Sequence, residues 1–361
     1  MICLHFGQRP DVARVTFSRC RRQRIDMKSA VSISSLVIAM ALFEASACYA
    51  QDGRAPAPTG RLVDAGGHRL HLHVMGKGKP VVVFEGGSGD FSFIWDLVQP
   101  EVSKKATTVS YDRAGYAWSE NGPSPRTGRQ ISYELHKALH NAGIDGPYIL
   151  VGQSFGGFLV RYFAHFYPGE VAGMVLVDAL NEDSRIVIGH QPFRIRDWAK
   201  GRQAPPVRDT IVSPSTSIAE VVPDTTLEFP LNKLPPADQK IQIWAQSQPA
   251  HRQAGNGEMD WSPEDVADLY AHKGMPGYVL GDLPLIVLSR GAGGYEGLAD
   301  SAALENERLN LQADLTRLST NSKHVIVSNS GHNIHLEQPG VVIDAIGQVI
   351  HAYLAHAKLE Q

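Results

Sequence analysis

Beyond residue 60 the chain is built of short apolar runs separated by longer stretches with helical spacing. Two alternating segments, 61–64 and 69–75, flank Gly66-Gly67, which is a hairpin signal. The β-rich runs 80–85 and 106–111 each lead into a turn containing glycine. Apolar Ile131, Leu135, Ala138 and Leu139 recur at helical intervals and Gly143 closes the segment, so a helix is predicted over 130–142. Then 148–151 reads as a buried strand, 155–167 as a helix stopped by Pro168-Gly169, and 171–177 as another buried strand. Strand, helix and strand in repetition predict a mostly parallel sheet covered by helices on both faces.

Between Leu180 and Gly281 the pattern fails, because prolines from Pro192 to Pro263 interrupt it repeatedly. A hundred residues or so is too long for one structureless loop. The expectation is a mostly helical insertion over 181–280, with its better helices at 237–247 and 263–272 and with Trp198, Trp244 and Trp261 as packing or pocket residues. The alternation then returns as a strand at 285–289, an amphipathic helix around 300–318, a strand at 324–328 and a last helix near 339–356. One sheet domain, 60–180 with 281–361, is thus interrupted by the insertion.

Composition narrows this picture without changing it. The 361 residues are 43% hydrophobic and 20% charged, with 34 basic against 37 acidic side chains, an ordinary globular balance. No block of like charge follows residue 30, so there is no electrostatic footprint for nucleic acid. The three cysteines, Cys3, Cys20 and Cys48, all precede the sheet domain, which therefore holds no disulfide. Arg19, Arg21, Arg22, Arg24 and Lys28 come before an uncharged run and then Ala45-Ser-Ala-Cys-Tyr-Ala50. This arrangement reads as an export signal over 1–50, cleaved before Gln51 and too short in its apolar run for a comfortable membrane span. Met27-Lys28 is a conventional signal start, which would make 1–26 an over-extended gene start. Cys48 offers a lipid anchor and the apolar run a retained anchor as the alternatives. The expected location is periplasmic or secreted, with no other membrane contact. Loss of 1–50 takes seven basic and three acidic residues and leaves a net charge of −7.

The candidate chemistry begins at Gly152-Gln-Ser154-Phe-Gly156, between the strand at 148–151 and the helix at 155–167. A buried strand, a sharp turn presenting a serine and a helix behind it make a nucleophile elbow, in which small residues let the neighbouring backbone approach. Serine is inert near its free pKa and needs a positioned base. His332 follows Gly331 directly after the last strand and is assigned that role; His335, nearer the helix, is read as a supporting or surface residue. In such a fold the acid lies between nucleophile and histidine in the chain. Asp178, ending the strand beside the elbow, is favoured, with Glu296 and Asp300 as alternatives. The oxyanion donors expected are the N–H of Phe155 and, from the loop Glu85-Gly-Gly-Ser-Gly89, that of Gly87, with Ser88 as second choice. That loop lacks the features of a phosphate cradle. His68, His71 and His73 are read as solvent-facing residues of an edge strand, and no metal or cofactor is assigned.

These segments resemble the α/β-hydrolase superfamily over essentially everything after residue 60. The resemblance rests on the elbow, on Tyr111-Asp-Arg-Ala-Gly-Tyr-Ala-Trp-Ser119, on Met174-Val-Leu-Val-Asp-Ala179 and on Ser330-Gly-His332. It implies an eight-stranded, mostly parallel sheet with a helical cap inserted after strand six, and it implies a mainly structural role for the Asp-Arg-x-Gly segment. Glu85-Gly-Gly-Ser-Gly89 looks like the His-Gly-Gly-Pro-Gly loop of proline iminopeptidases with Glu for His and Ser for Pro, so their substrates are only faintly implied. Haloalkane dehalogenases and epoxide hydrolases carry an Asp nucleophile, and Ser154 argues against both chemistries. The expected activity is hydrolysis of a carboxylic ester of a small or medium hydrophobic molecule through an acyl-enzyme. An amidase or aminopeptidase, and a non-catalytic ligand receptor on the same scaffold, are the alternatives.

Overall fold

β-Branched and aromatic runs with alternate side chains on opposite faces give the central strands, and in a computed structural model they form one sheet. It describes residues 55–209, 226–273 and 280–360; the expected export segment at 1–50 lies outside them. The strands are β1 (Arg61–Asp64), β2 (Arg69–Met75), β3 (Val81–Glu85), β4 (Thr108–Tyr111), β5 (Tyr148–Gln153), β6 (Val171–Val177), β9 (Leu285–Arg290) and β10 (Ser322–Val327), with β7 (Arg185–Ile188) and β8 (Gln191–Arg194) forming a separate hairpin. The sheet is eight-stranded in the order β1-β2-β4-β3-β5-β6-β9-β10. The pairs β1–β2 and β2–β4 are antiparallel and the others parallel. Helices α1 (Gln99–Val102), α2 (Gly128–Asn141), α3 (Phe155–Phe166), α4 (Pro236–Ser247), α5 (Pro249–His272), α6 (Ser301–Asp314), α7 (Ile334–Glu337) and α8 (Pro339–Ala355) complete the chain.

Period-two alternation sorts the core into two layers. Val81, Val83, Leu150, Met174, Leu176 and Val287 pack on one face with Leu135 and Leu139 of α2 and Phe163 of α3. Val82, Phe84, Ile149, Val151, Val175 and Ile286 pack on the other with Val102 of α1 and Ile346 and Val349 of α8. Parallel strands buried on both faces place their C-terminal ends along one edge, where connecting loops gather.

Three expectations are corrected. The insertion after β6 is not only helical, since it opens with the β7–β8 hairpin. Pro263 does not start a helix but lies inside the 24-residue α5. A proline there leaves the carbonyl of residue 259 without its helical N–H, and Ser262 Oγ donates to it at 3.1 Å instead. The histidines of β2 are not on an edge strand, because β1 and β4 flank it. His68 and His71 are buried. His71 Nδ1 lies 3.0 Å from Asp112, and its Nε2 accepts the Gly60 N–H at 3.0 Å.

The segment after β4 shows what its residues do. Asp112 accepts the N–H of Ser92 at 2.9 Å and of Trp118 at 3.3 Å, while Ser119 Oγ accepts from His71 N at 2.8 Å and donates to the Asp112 carbonyl at 2.6 Å. Arg113 spends all its N–H groups on five acceptors at 2.7–3.1 Å: Glu85, the carbonyls of Gly86 and Gly87, and both oxygens of Glu258. Glu258 belongs to α5, so this buried guanidinium ties the insertion to the loop after β3. A second tie is Asp265, also on α5, which accepts the N–H of Gly128 at the start of α2 at 2.7 Å.

Candidate active site

Ser154 sits between β5 and α3 with φ +53° and ψ −120°, a conformation that costs a non-glycine residue energy and is kept only where the surroundings impose it. Its N–H donates to Val177 at 3.1 Å, and its carbonyl accepts from Gly157 at 3.1 Å and Leu180 at 2.8 Å, so β6 and the next turn clamp both sides of it. Glycine is required nearby: a Cβ on Gly152 would collide with the Gly156 carbonyl, and one on Gly156 with the Glu85 carbonyl. The serine is thereby held partly exposed at the C-terminal edge of the sheet.

Asp178 follows β6 directly, also at positive φ (+40°). Its Oδ2 lies 2.6 Å from His332 Nδ1, from the loop between β10 and α7. A carboxylate only accepts, so Nδ1 carries the proton and Nε2 is left as the basic nitrogen. Asp178 also accepts from Arg290 N and Nη1, both at 3.2 Å, and from Arg308 Nη1 of α6 at 2.9 Å. Burial pushes the Asp178 carboxyl upward, but the His332 hydrogen bond and the charges of Arg290 and Arg308 outweigh it and hold the group down at about 2. It is therefore an anion throughout the neutral range.

A cavity of about 370 Å³ opens on these residues. Ser154, Asp178 and His332 line it together with Ile186 and Val187 of β7, Phe229 and Tyr295. Arg185, Arg290 and Arg308 line it too, but each has a carboxylate partner, in Glu307, in Asp178 and Glu305, and again in Asp178 and Glu305.

Residues 79–211 match the family model described as the alpha/beta hydrolase fold. The chain has the α/β-hydrolase fold. Among curated relatives, the uncharacterized protein YqjL of Bacillus subtilis is 24% identical over 277 residues, 77% of this chain and 86% of that protein. The 2-hydroxy-6-oxo-2,4-heptadienoate hydrolase of Pseudomonas putida is 33% identical over 140 residues, 37% of this chain and 49% of that protein. For other relatives the match spans 18% or 37% of their own length. Of solved structures, a putative epoxide hydrolase from Pseudomonas aeruginosa shares the fold at a TM-score of 0.58 and 14% identity, covering 82% of this chain and 96% of that one.

Within this α/β-hydrolase fold the structure brings Ser154, Asp178 and His332 to one cavity and leaves the alternative acids aside. Glu296 is exposed on the cavity rim and accepts the Gly294 N–H at 2.8 Å; Asp300 is exposed before α6. The Phe155 N–H, in the first turn of α3, has no hydrogen-bond partner among the described residues. The Gly87 N–H, expected to be free, is instead donated to Asp90 Oδ2 at 3.1 Å. His335 is no surface residue but fully buried, its ring 4.8 Å from that of Trp95, and burial with the nearby His332 pushes it down to about 3. None of Trp198, Trp244 and Trp261 lines the cavity; Trp244 packs at a tilt against Trp118, ring centroids 5.3 Å apart. Among the described residues no group of three or more His, Cys, Asp or Glu could hold a metal ion. Sequence reasoning missed Arg290, Arg308 and Asp90. Only Arg290, first after an expected strand at that edge, carried a positional signal.

Proposed function

We propose that this chain is a serine hydrolase acting on a carboxylic ester of a small or medium, uncharged hydrophobic molecule. Ser154 Oγ attacks the acyl carbonyl as His332 Nε2 takes its proton, the same proton passes to the departing alcohol, and water then releases the acid from Ser154 by the reverse path. Asp178 fixes the histidine tautomer and stabilises the imidazolium. The observation that carries this reading is the 2.6 Å His332–Asp178 contact beside a strained, partly exposed serine. Ile186, Val187, Phe229 and Tyr295 supply apolar walls, and the matched guanidiniums leave little cause to select an anionic substrate. Export through residues 1–50 belongs to the same proposal, and N-terminal sequencing of the cell-envelope or medium fraction should find Gln51 first.

A fluorophosphonate probe tests the nucleophile. Wild-type protein should be labelled and Ser154→Ala should not; an unlabelled wild type would favour a ligand receptor on the same scaffold. Esters and amides of graded acyl length, compared by kcat/KM, then separate esterase from amidase.

A further inference from the structure

The oxyanion loop contains a carboxyl group where a free backbone donor was expected. Asp90 Oδ2 accepts the Gly87 N–H at 3.1 Å, and Asp90 N donates back to the Gly87 carbonyl at 3.2 Å. The other carboxyl oxygen, Oδ1, has no hydrogen-bond partner among the described residues. The position is next to the nucleophile: a Cβ built on Gly87 would lie 2.9 Å from Asp90 Oδ2 and 3.3 Å from Ser154 Cβ. An ionised carboxylate there would repel the negative charge that develops on the acyl oxygen. A neutral one could accept from Gly87 through Oδ2 and donate through Oδ1–H, a type of donor that an apolar setting can maintain.

We propose that Asp90 is a catalytic residue of the serine hydrolase described above, supplying in its neutral form the second oxyanion hydrogen bond that Gly87 supports from behind. The proton stays on Asp90 throughout; the interaction is a hydrogen bond and transfers nothing. Arg113 fixes the loop for this, because its hold on the Gly86 carbonyl turns the Gly87 N–H of the same trans peptide the opposite way, toward Asp90.

The surroundings of Asp90 make the neutral form easier to reach, and it is the majority species below about pH 6. Burial pushes it up to about 6, against Arg113 after β4, His332 after β10 and the Gly87 N–H, all of which pull it down. Beyond Arg113 stand Glu85 and Glu258. From α5, His251 meets the Gly89 carbonyl at 3.0 Å, and burial holds it down at about 4, so it adds no charge at neutral pH.

The test is the pH dependence of kcat/KM for p-nitrophenyl butyrate between about pH 5 and about pH 9. Asp90 is protonated below its pKa, so wild-type activity should fall on the alkaline side as this group ionises. Asp90→Asn keeps an oxygen for Gly87 and an N–H for the substrate; it should retain activity within about tenfold and lose the alkaline fall. Asp90→Ala should lose about 10²–10³-fold in kcat where wild-type Asp90 is protonated, and the gap should narrow on the alkaline side. A mere brace of the loop predicts an unchanged pH profile in Asp90→Asn, and that result overturns the proposal, as does an Asp90→Ala enzyme as fast as wild type. The carboxyl ¹³C resonance of Asp90 should titrate near the alkaline limb; titration in the ordinary aspartate range also overturns it. Labelling of Ser154 keeps the two readings apart: a labelled enzyme with an unmoved profile refutes Asp90 alone, whereas an unlabelled one refutes the serine reading and this proposal together.

Discussion

Replacing Arg113 with Met removes a buried guanidinium that holds Glu85, the loop after β3 and Glu258 of α5 together. The side chains of Arg113, Glu85 and Glu258 are 1–2% exposed, so none of their charges is relieved by water. Methionine fills much of the same volume without a charge, and the loss should come from the acceptors rather than from a void. Five hydrogen bonds disappear. Removing one partner of a buried ion pair costs about 3–5 kcal/mol, because the other charge stays behind. Here the residual strain is concentrated on Glu258. Glu85 is already pushed up to about 7, chiefly by burial, and accepts a hydrogen bond from Tyr111. Among the described residues Glu258 keeps the Tyr116 hydroxyl, at 2.9 Å, as its side-chain donor once Arg113 is gone. The expected loss is therefore about 3 kcal/mol or somewhat more, a large part of the 5–15 kcal/mol typical of a folded domain.

The sign of its pH dependence follows from the same geometry. Arg113 pulls the buried Glu85 carboxyl down, so without it burial pushes that group higher still and the variant's native state binds more protons than its unfolded state. Its stability should then fall as pH rises, and the deficit relative to wild type should be larger at about pH 8 than at about pH 5.5. Guanidinium unfolding at both pH values, followed by tryptophan fluorescence and far-UV circular dichroism, measures this and checks that the two transitions coincide. Arg113→Lys, which keeps a charge but not the planar fork, should fall between the two. A loss under about 1 kcal/mol at the higher pH, or an equal loss at both, would refute the reasoning.

Asp178→Asn should lower kcat by about 10⁴-fold by disturbing the histidine tautomer, while Glu296→Gln stays within about twofold of wild type; steady-state kinetics on one ester decides between the two acids, and a full-rate Asp178→Asn enzyme ends the assignment. Gly156→Ala should cost at least about 2 kcal/mol, because the new methyl meets the backbone carbonyls of Glu85 and Gly86 rather than a movable side chain, and thermal melting against wild type reads it directly.

How much of this was legible in the sequence depends on the range of the interaction. The elbow was readable because its parts are contiguous: an apolar strand, two small residues and a helix around Ser154. His332 and Asp178, far apart in the chain, could be paired because a parallel sheet delivers the loops after β6 and β10 to one edge. Asp90 was hidden, since nothing in Gly-Ser-Gly-Asp says that the carboxyl folds back on the Gly87 N–H. The buried His71 was misread for a related reason. Its partner Asp112 follows β4, a strand not adjacent to β2 in sequence, and alternation alone does not tell an edge strand from its neighbour. Pro263 misled because its helix-breaking cost is met locally, by the Ser262 hydroxyl.

The placement of Glu258 and Asp265 bears on how such an enzyme can be remodelled. Exchanging the insertion at 181–280 for that of another hydrolase is an obvious way to reshape the cavity, since it supplies part of the wall while Ser154, Asp178 and His332 lie outside it. Here the exchange would also carry off the acceptor for Arg113 and the acceptor for the first N–H of α2. A workable chimera has to bring two carboxylates spaced seven positions apart on one helix, as Glu258 and Asp265 are. The region that walls the cavity is, in this chain, also part of the foundation.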